Sequence, residues 1–275
     1  MDMSGDLKKK VSEWLDYHGG PVELQTARSF QEAGFNISQG IHFVDNLTQK
    51  LRECDLLAFM QQVVAPRGCP TFAVATTFLV ECKRSKKHPW VAFVVKDQDH
   101  FGNQAYSAYH WIMDKLARER IVDLIATQWD KVPTIYNDRP TAYSISQVNL
   151  GDKNEAKHDD GSNRAFSAVA QLLDATEARL QRIEEAREPQ RCHLLFPVLV
   201  FDGQLFEYSL GEAGPTLEET NETTLVLRNR PLGSGMARIK VVTLKGLSDF
   251  VSQARSMAEW LCKLADTVQA QLGKS

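Results

Sequence analysis

The sequence predicts an α/β fold in which a central mixed β-sheet is flanked by helices. Three observations carry this expectation. Segments with apolar residues at helical spacing are interleaved with apolar runs of strand length. Hydrophobic residues make up 43% of the 275 positions, enough for one large core or two modest ones. No linker-like stretch and no internal repeat divides the chain, so a single elaborated domain over 1–275 is expected, with 1–130 as its core and 131–275 extending the sheet and adding helices.

Taken in order, residues 7–18 place Leu7, Val11, Trp14 and Leu15 on one helical face, and Gly19-Gly20 ends the helix. Pro21 suits the first position of a second helix, since its missing N–H would have no partner there anyway. Val22, Leu24, Ala27, Phe30 and Ala33 form that helix's stripe, and Gly34 can cap it in the left-handed conformation. Ile37, Gln39, Ile41 and Phe43 alternate with polar or small residues, which reads as a strand over 36–44. Asp45-Asn46 marks a turn. A strand carrying Asp55 follows, then a loop at Pro66-Arg67-Gly68, then a strand carrying Glu81. Residues 89–95 are apolar enough to be a central strand. The spacing of Trp111, Ile112, Leu116, Ile121, Val122 and Ile125 predicts a helix over 106–127, and Pro133, Asn137 and Pro140 predict loop. The polar stretch 151–161 reads as an insertion, and 162–187 as a long helix. In the last third, 193–201 is a strand, and Asp202-Gly203 reads as a hairpin turn into 205–208. Strands at 223–227 and 239–244 and an amphipathic helix over 247–272 close the chain.

Composition limits the function classes. No apolar run is long enough to span a bilayer and the first residues lack a signal peptide's apolar segment, so a cytoplasmic protein without membrane contact is expected. The five cysteines (Cys54, Cys69, Cys82, Cys192 and Cys262) are dispersed without a Cys-x-x-Cys pair and read as reduced thiols. A net charge of −3 gives no global pull toward nucleic acid.

The chemistry concentrates between Leu51 and Ser85. Asp55 precedes Leu56, Leu57 and Ala58, and Glu81 follows Phe78, Leu79 and Val80. An ionised carboxylate in such a run is expensive unless compensated, and a bound cation is the usual compensation. Strand alternation places Glu81 and Lys83 on one side and Cys82 on the other. Two carboxylates beside an ammonium suit a divalent metal and an activated water, the requirements of phosphodiester hydrolysis.

These residues resemble the PD-(D/E)xK nuclease superfamily, whose members share the restriction-endonuclease-like fold. Asp55 matches the first acidic position and Glu81-Cys82-Lys83 matches the triplet. Cys54 stands where many members have proline. The helix over 21–35 and the strand after it match the elements that precede the motif, and Glu23 matches a further acidic residue that several members carry. A first-turn glutamate is also favoured by the helix dipole alone. The resemblance spans residues 7–95 and beyond them rests on element order.

It implies a restriction-endonuclease-like core with an elaborated C-terminal half. It further implies a metal-dependent endodeoxyribonuclease acting in restriction, phage defence or repair. Asp55, Glu81 and the backbone carbonyl of Cys82 would hold Mg²⁺, with Mn²⁺ as a substitute; Lys83 would orient the nucleophile and Glu23 would support the site. DNA is the expected partner, and the motif does not separate it from RNA. Gln39, Arg84, Lys86 and Lys87 are the candidate nucleic-acid contacts, the ordinary alternative being a solvated loop. A non-catalytic scaffold or nucleic-acid-binding subunit of a defence or repair complex is the rival reading. The stripe Leu247, Phe250, Val251, Met257, Trp260, Leu261, Leu264 and Val268 is wide enough to pack on its own sheet and also to support a two-fold homodimer.

Overall fold

The structure is a computed structural model and describes residues 3–17, 20–45, 48–64, 72–95, 109–112, 133–136, 140–149, 164–186, 191–228 and 236–272. The chain is α/β, with a large mixed sheet flanked by helices. Helices α1 (Met3–Tyr17) and α2 (Gly20–Glu32) lead into β1 (Asn36–Val44), β2 (Leu51–Val64), β3 (Phe72–Arg84), β4 (Trp90–Val95), β5 (Tyr109–Ile112) and β6 (Thr141–Gln147). Helix α3 (Arg164–Ala186) follows. Then come β7 (Arg191–Asp202), β8 (Leu205–Gly211), β9 (Gly214–Thr220), β10 (Glu222–Arg228), β11 (Met236–Thr243) and a closing helix α4 (Leu247–Leu272).

The strands form one sheet in the order β1-β2-β3-β7-β11-β10-β6-β4-β8-β9. Its spine is the parallel pairing of β3 with β7, in register from Ala73–Arg191 to Arg84–Asp202. Strand β11 flanks β7 on the other side from Lys240–Val198 onward, and β5 fills the same side along Cys192–Leu195. One face of the sheet is covered by α2 and α4. There Phe78 of β3 is the hub of an aromatic cluster, with ring centroids 5.8 Å from Phe30, 5.5 Å from Phe35, 5.4 Å from Phe196 and 6.4 Å from Phe250. The opposite face packs against α3 through Ala168, Val169, Leu172 and Leu173.

Several expectations hold. Gly34 caps α2 at φ 87°, and the Phe35 N–H reaches back to the Phe30 carbonyl at 3.1 Å. β1 and α4 begin and end where the pattern placed them. The α4 stripe is used on the chain's own sheet, since Phe250, Val251, Met257, Leu261 and Leu264 are all buried in the α2–α4 layer. Cys54, Cys82, Cys192 and Cys262 are buried free thiols. Among the described residues no helix is long and apolar enough to cross a membrane.

Two expectations are corrected, and two strands are added. Tyr109–Ile112 is a strand antiparallel to β7, not the start of a helix over 106–127, because the free side of the β7 backbone offers hydrogen bonds that local helical spacing ignores. β6 and β9 are strands for which the sequence reading offers no assignment; β9 is an exposed edge strand without a clear alternation of buried residues. Asp202-Gly203 is a turn but not a hairpin, since β8 pairs in parallel with β4 and antiparallel with β9. Two corners are stacked here: β3 turns into β4 as its neighbour β7 turns into β8. The Ser85 N–H donates to Asp202 O, the Trp90 N–H to Gln204 O, and the Trp90 ring stacks on Phe201 at 4.3 Å. The expected loop at 66–68, the remainder of 106–127, the polar stretch 151–161 and Cys69 lie outside the described residues.

Glycine is required at the stacked corner, because a Cβ on Gly203 would stand 2.8 Å from the Ser85 carbonyl oxygen, a backbone atom. Gly203→Ala is therefore expected to lower the unfolding free energy by roughly 1–3 kcal/mol, the usual range for overpacking. Urea titration measures this; an unchanged midpoint would mean that the corner yields freely.

Candidate functional site

The site forms where β2 and β3 part. Their antiparallel register ends at Leu56–Val80, while β3 stays paired with β7 as far as Arg84. Gly40 helps to open this fork. The β1–β2 register places it across from Asp55, between the pairs Gln39–Leu56 and Ile41–Cys54, and it adopts φ 62°. A glycine tolerates that left-handed backbone inside a strand, where it commonly marks an irregularity. A Cβ at Gly40 would also come to 3.1 Å from the Glu53 carboxylate.

Across the fork, the Cys82 N–H donates to Asp55 Oδ2 at 2.6 Å, so a carboxylate takes the place of a ladder partner. Glu81, only 1% exposed, accepts a hydrogen bond from Lys83 Nζ on Oε1. Its second oxygen, Oε2, is buried without a hydrogen-bond partner. Lys83 keeps about a third of its side chain exposed, 35%, so the cluster reaches solvent on the ammonium side. The Cys82 thiol turns away, beside Thr26 of α2. Thus the structure brings together Asp55, Glu81, Lys83 and the Cys82 backbone. Glu23, half-buried in the first turn of α2, is close enough for its charge to be felt by the other acids.

The electrostatics are those of a site with more acid than base. Burial, then repulsion from Asp55, raises the Glu81 pKa to about 7, against the attraction of Lys83. Burial also raises Asp55, with the Cys82 N–H and Lys83 opposing it, and burial together with Asp55 and Glu53 raises Glu23. Burial works against the Lys83 ammonium, but Glu81 and Asp55 outweigh it and hold its pKa above the ordinary lysine value. The Cys82 thiol is pushed well up by burial and by Asp55, which keeps it protonated and leaves its backbone oxygen as the atom of interest. Among the described residues, no group of three or more His, Cys, Asp and Glu side chains is arranged to hold a metal ion.

The expected nucleic-acid contacts are more dispersed. Gln39 is exposed on β1 opposite Leu56, one position from Asp55. Arg84 is half-buried, Lys86 is paired with Asp202 at 3.0 Å, and Lys87 is exposed. Glu53 was not anticipated as a neighbour of the site, although its charge acts on both Glu23 and Asp55. The glycine at position 40 was the available signal, since an isolated glycine in a strand pattern indicates a bulge or a close approach. Compared with protein-family models, with curated proteins and with solved structures, the chain finds no match in any of the three.

The buried carboxylate predicts an unusual pH dependence for the metal-free protein. The folded-state pKa of Glu81, raised to about 7 by burial, lies above the ordinary glutamate value of 4.5. Between those two values the folded chain holds a proton that the unfolded chain has lost, so stability falls as pH rises through this window. Glu81→Gln removes that loss while keeping an acceptor for Lys83. It is expected to stabilise the protein in EDTA at pH 8 by roughly 2–3 kcal/mol and to change little at pH 4. Urea midpoints at the two pH values provide the test, and a variant no more stable than wild type at pH 8 would contradict it.

Proposed function

We propose that this chain is a metal-dependent nuclease with a restriction-endonuclease-like core, hydrolysing DNA phosphodiester bonds in restriction, phage defence or repair. The observation that carries the reading is the state of Glu81. A carboxylate 1% exposed, with one oxygen on Lys83 and the other without a partner, is a poor structural device and a good ligand. The donor set fits a hard cation: Glu81 Oε2, the Asp55 carboxylate and the Cys82 carbonyl are all oxygens, and the thiol next to them is protonated. Two carboxylates and a carbonyl leave several positions to water, as Mg²⁺ prefers, with Mn²⁺ as a substitute.

Bound there, Mg²⁺ would supply a lowered pKa for water and charge compensation at the scissile phosphate. The chain's own residues do the rest. Asp55, fixed by the Cys82 N–H, and Glu81, fixed by β7 through its strand, hold their oxygens in a preset arrangement. Lys83 carries its proton on the solvent side of the cluster, where Nζ can orient an incoming water and stabilise negative charge at the phosphate. Glu23 adds negative charge beside Lys83 and helps keep it protonated. Gln39, opposite Leu56 on β1, and Arg84, Lys86 and Lys87, at and just beyond the end of β3, would contact the sugar-phosphate backbone, of DNA in the first instance and of RNA as an outcome of the assay. Two copies, joined through part of the C-terminal half, would bring two sites to one duplex; Phe250, Val251, Met257, Leu261 and Leu264 of α4 are buried on the chain's own sheet and would not be at that contact.

The rival reading is a non-catalytic scaffold or nucleic-acid-binding subunit of the same fold in a defence or repair complex. Cleavage assays separate the two. Asp55→Ala, Glu81→Ala and Lys83→Ala are each expected to reduce Mg²⁺-dependent cleavage of plasmid or single-stranded DNA by about 10²-fold or more. Full activity in Glu81→Ala would remove the assignment. In addition, Mg²⁺ and Mn²⁺ should support cleavage, Ca²⁺ should bind without supporting it, and EDTA should abolish it.

A further inference from the structure

We propose that the cleft between α3 and the β1–β2–β3 edge of the sheet is a nucleoside-phosphate site, distinct from the carboxylate–lysine cluster. The cleft encloses about 390 Å³, the size of a small-molecule site. Arg179 and Arg182, three residues apart on α3 and so on one face of the helix, form one wall. Phe59, Gln61 and Thr77 line it from β2 and β3, and Ser38 from β1. Guanidinium groups match phosphate oxygens in a two-pronged geometry. The half-buried ring of Phe59 offers a stacking surface for a base, and the Ser, Gln and Thr side chains can donate to or accept from a sugar or base edge. Among the described residues that line the cleft there is no Asp or Glu. This is the reverse of the acidic cluster at the fork.

The two sites share a face of β3. Thr77 precedes Glu81 by four residues, so strand alternation puts both side chains on one side, roughly 13 Å apart along the strand. Between them, Leu79 lines a void of only about 20 Å³, room for a single water. That void shares Ile41, Leu57, Arg179 and Arg182 with the cleft, whereas Asp55, Glu81 and Lys83 line neither. The cleft's ligand is either one nucleotide of a bound strand or a free mononucleotide, and the recognising chemistry is the same. The proposal goes beyond the nuclease reading and does not rest on it.

The test is binding in EDTA, where metal-dependent cleavage is suppressed. AMP and dAMP are titrated by calorimetry and a labelled short single-stranded DNA by fluorescence anisotropy. The proteins are wild type, Arg182→Glu, Arg179→Gln and, as a charge-matched control on the exposed face of α4, Arg255→Glu. Arg182 is exposed, so its substitution leaves the core alone, and circular dichroism checks the half-buried Arg179 position. Both cleft variants are expected to bind roughly 10–100-fold more weakly, the loss of a charged hydrogen bond to phosphate, with the control unchanged. Mononucleotide binding with this dependence identifies a free nucleotide as a ligand; binding of the oligonucleotide alone identifies a strand. No binding of either probe, undiminished affinity in both cleft variants, or an equal loss in Arg255→Glu would overturn the proposal. A protein that binds through the cleft yet cleaves nothing would sink the nuclease reading and leave this one standing.

Discussion

Everything about the candidate site depends on β3 keeping one partner after it has lost the other. Beyond Leu56–Val80 the β2 side of β3 is open, while the β7 side stays hydrogen-bonded to Arg84–Asp202. A strand end held on one side is rigid enough to fix Glu81 and Lys83 and open enough to admit something beside them. Upstream, Phe78 locks the same strand into the aromatic cluster of α2, α4 and β7. The three-residue step from Phe78 to Glu81 thus passes from the hub of an aromatic cluster to a buried carboxylate with one oxygen lacking a partner.

That contrast has an energetic meaning. Burying a carboxylate is unfavourable unless its hydrogen-bonding capacity is filled, and Glu81 fills half of it. Burial raises the pKa values of Asp55 and Glu81 further than the Lys83 ammonium lowers them. A folded chain tolerates this only if the rest of the core supplies the surplus, and two apolar layers on opposite faces of one sheet are able to do so. Local instability maintained by a well-packed surround is the usual arrangement at sites that bind or react.

Much of this was legible from the residues. Amphipathic spacing gave α2, α3 and α4, because a helix beside a sheet must turn one apolar face inward, and Gly34 marked the end of α2 for a conformational reason that needs no tertiary information. Asp55, Glu81 and Lys83 could be grouped because charge inside apolar strands demands a common explanation. The rest was hidden for identifiable reasons. β5 carries a helix-like spacing but sits where the β7 backbone offers bonds. Asp202-Gly203 has hairpin chemistry, yet the neighbouring β3–β4 corner captures both ends of the turn. Glu53 and Gly40 act through the β1–β2 register, and the cleft under α3 joins side chains from positions 38 to 193, which no local pattern connects.

The parallel pairing of β3 with β7 also governs how the chain comes into being. The β7 partner of Ala73 is Arg191, synthesised roughly 120 residues later. At the usual ribosomal pace of about 5–20 residues per second, the apolar edge of β3 waits roughly 6–24 s for its neighbour. During that interval β1, β2 and β3 can form a meander, but the β7 slot stays empty and its hydrogen-bonding groups face solvent or whatever binds there. A nascent chain built this way is exposed to strand-to-strand association between polysomes, and its yield should respond to translation speed between codons 85 and 190 more than to changes in any surface side chain.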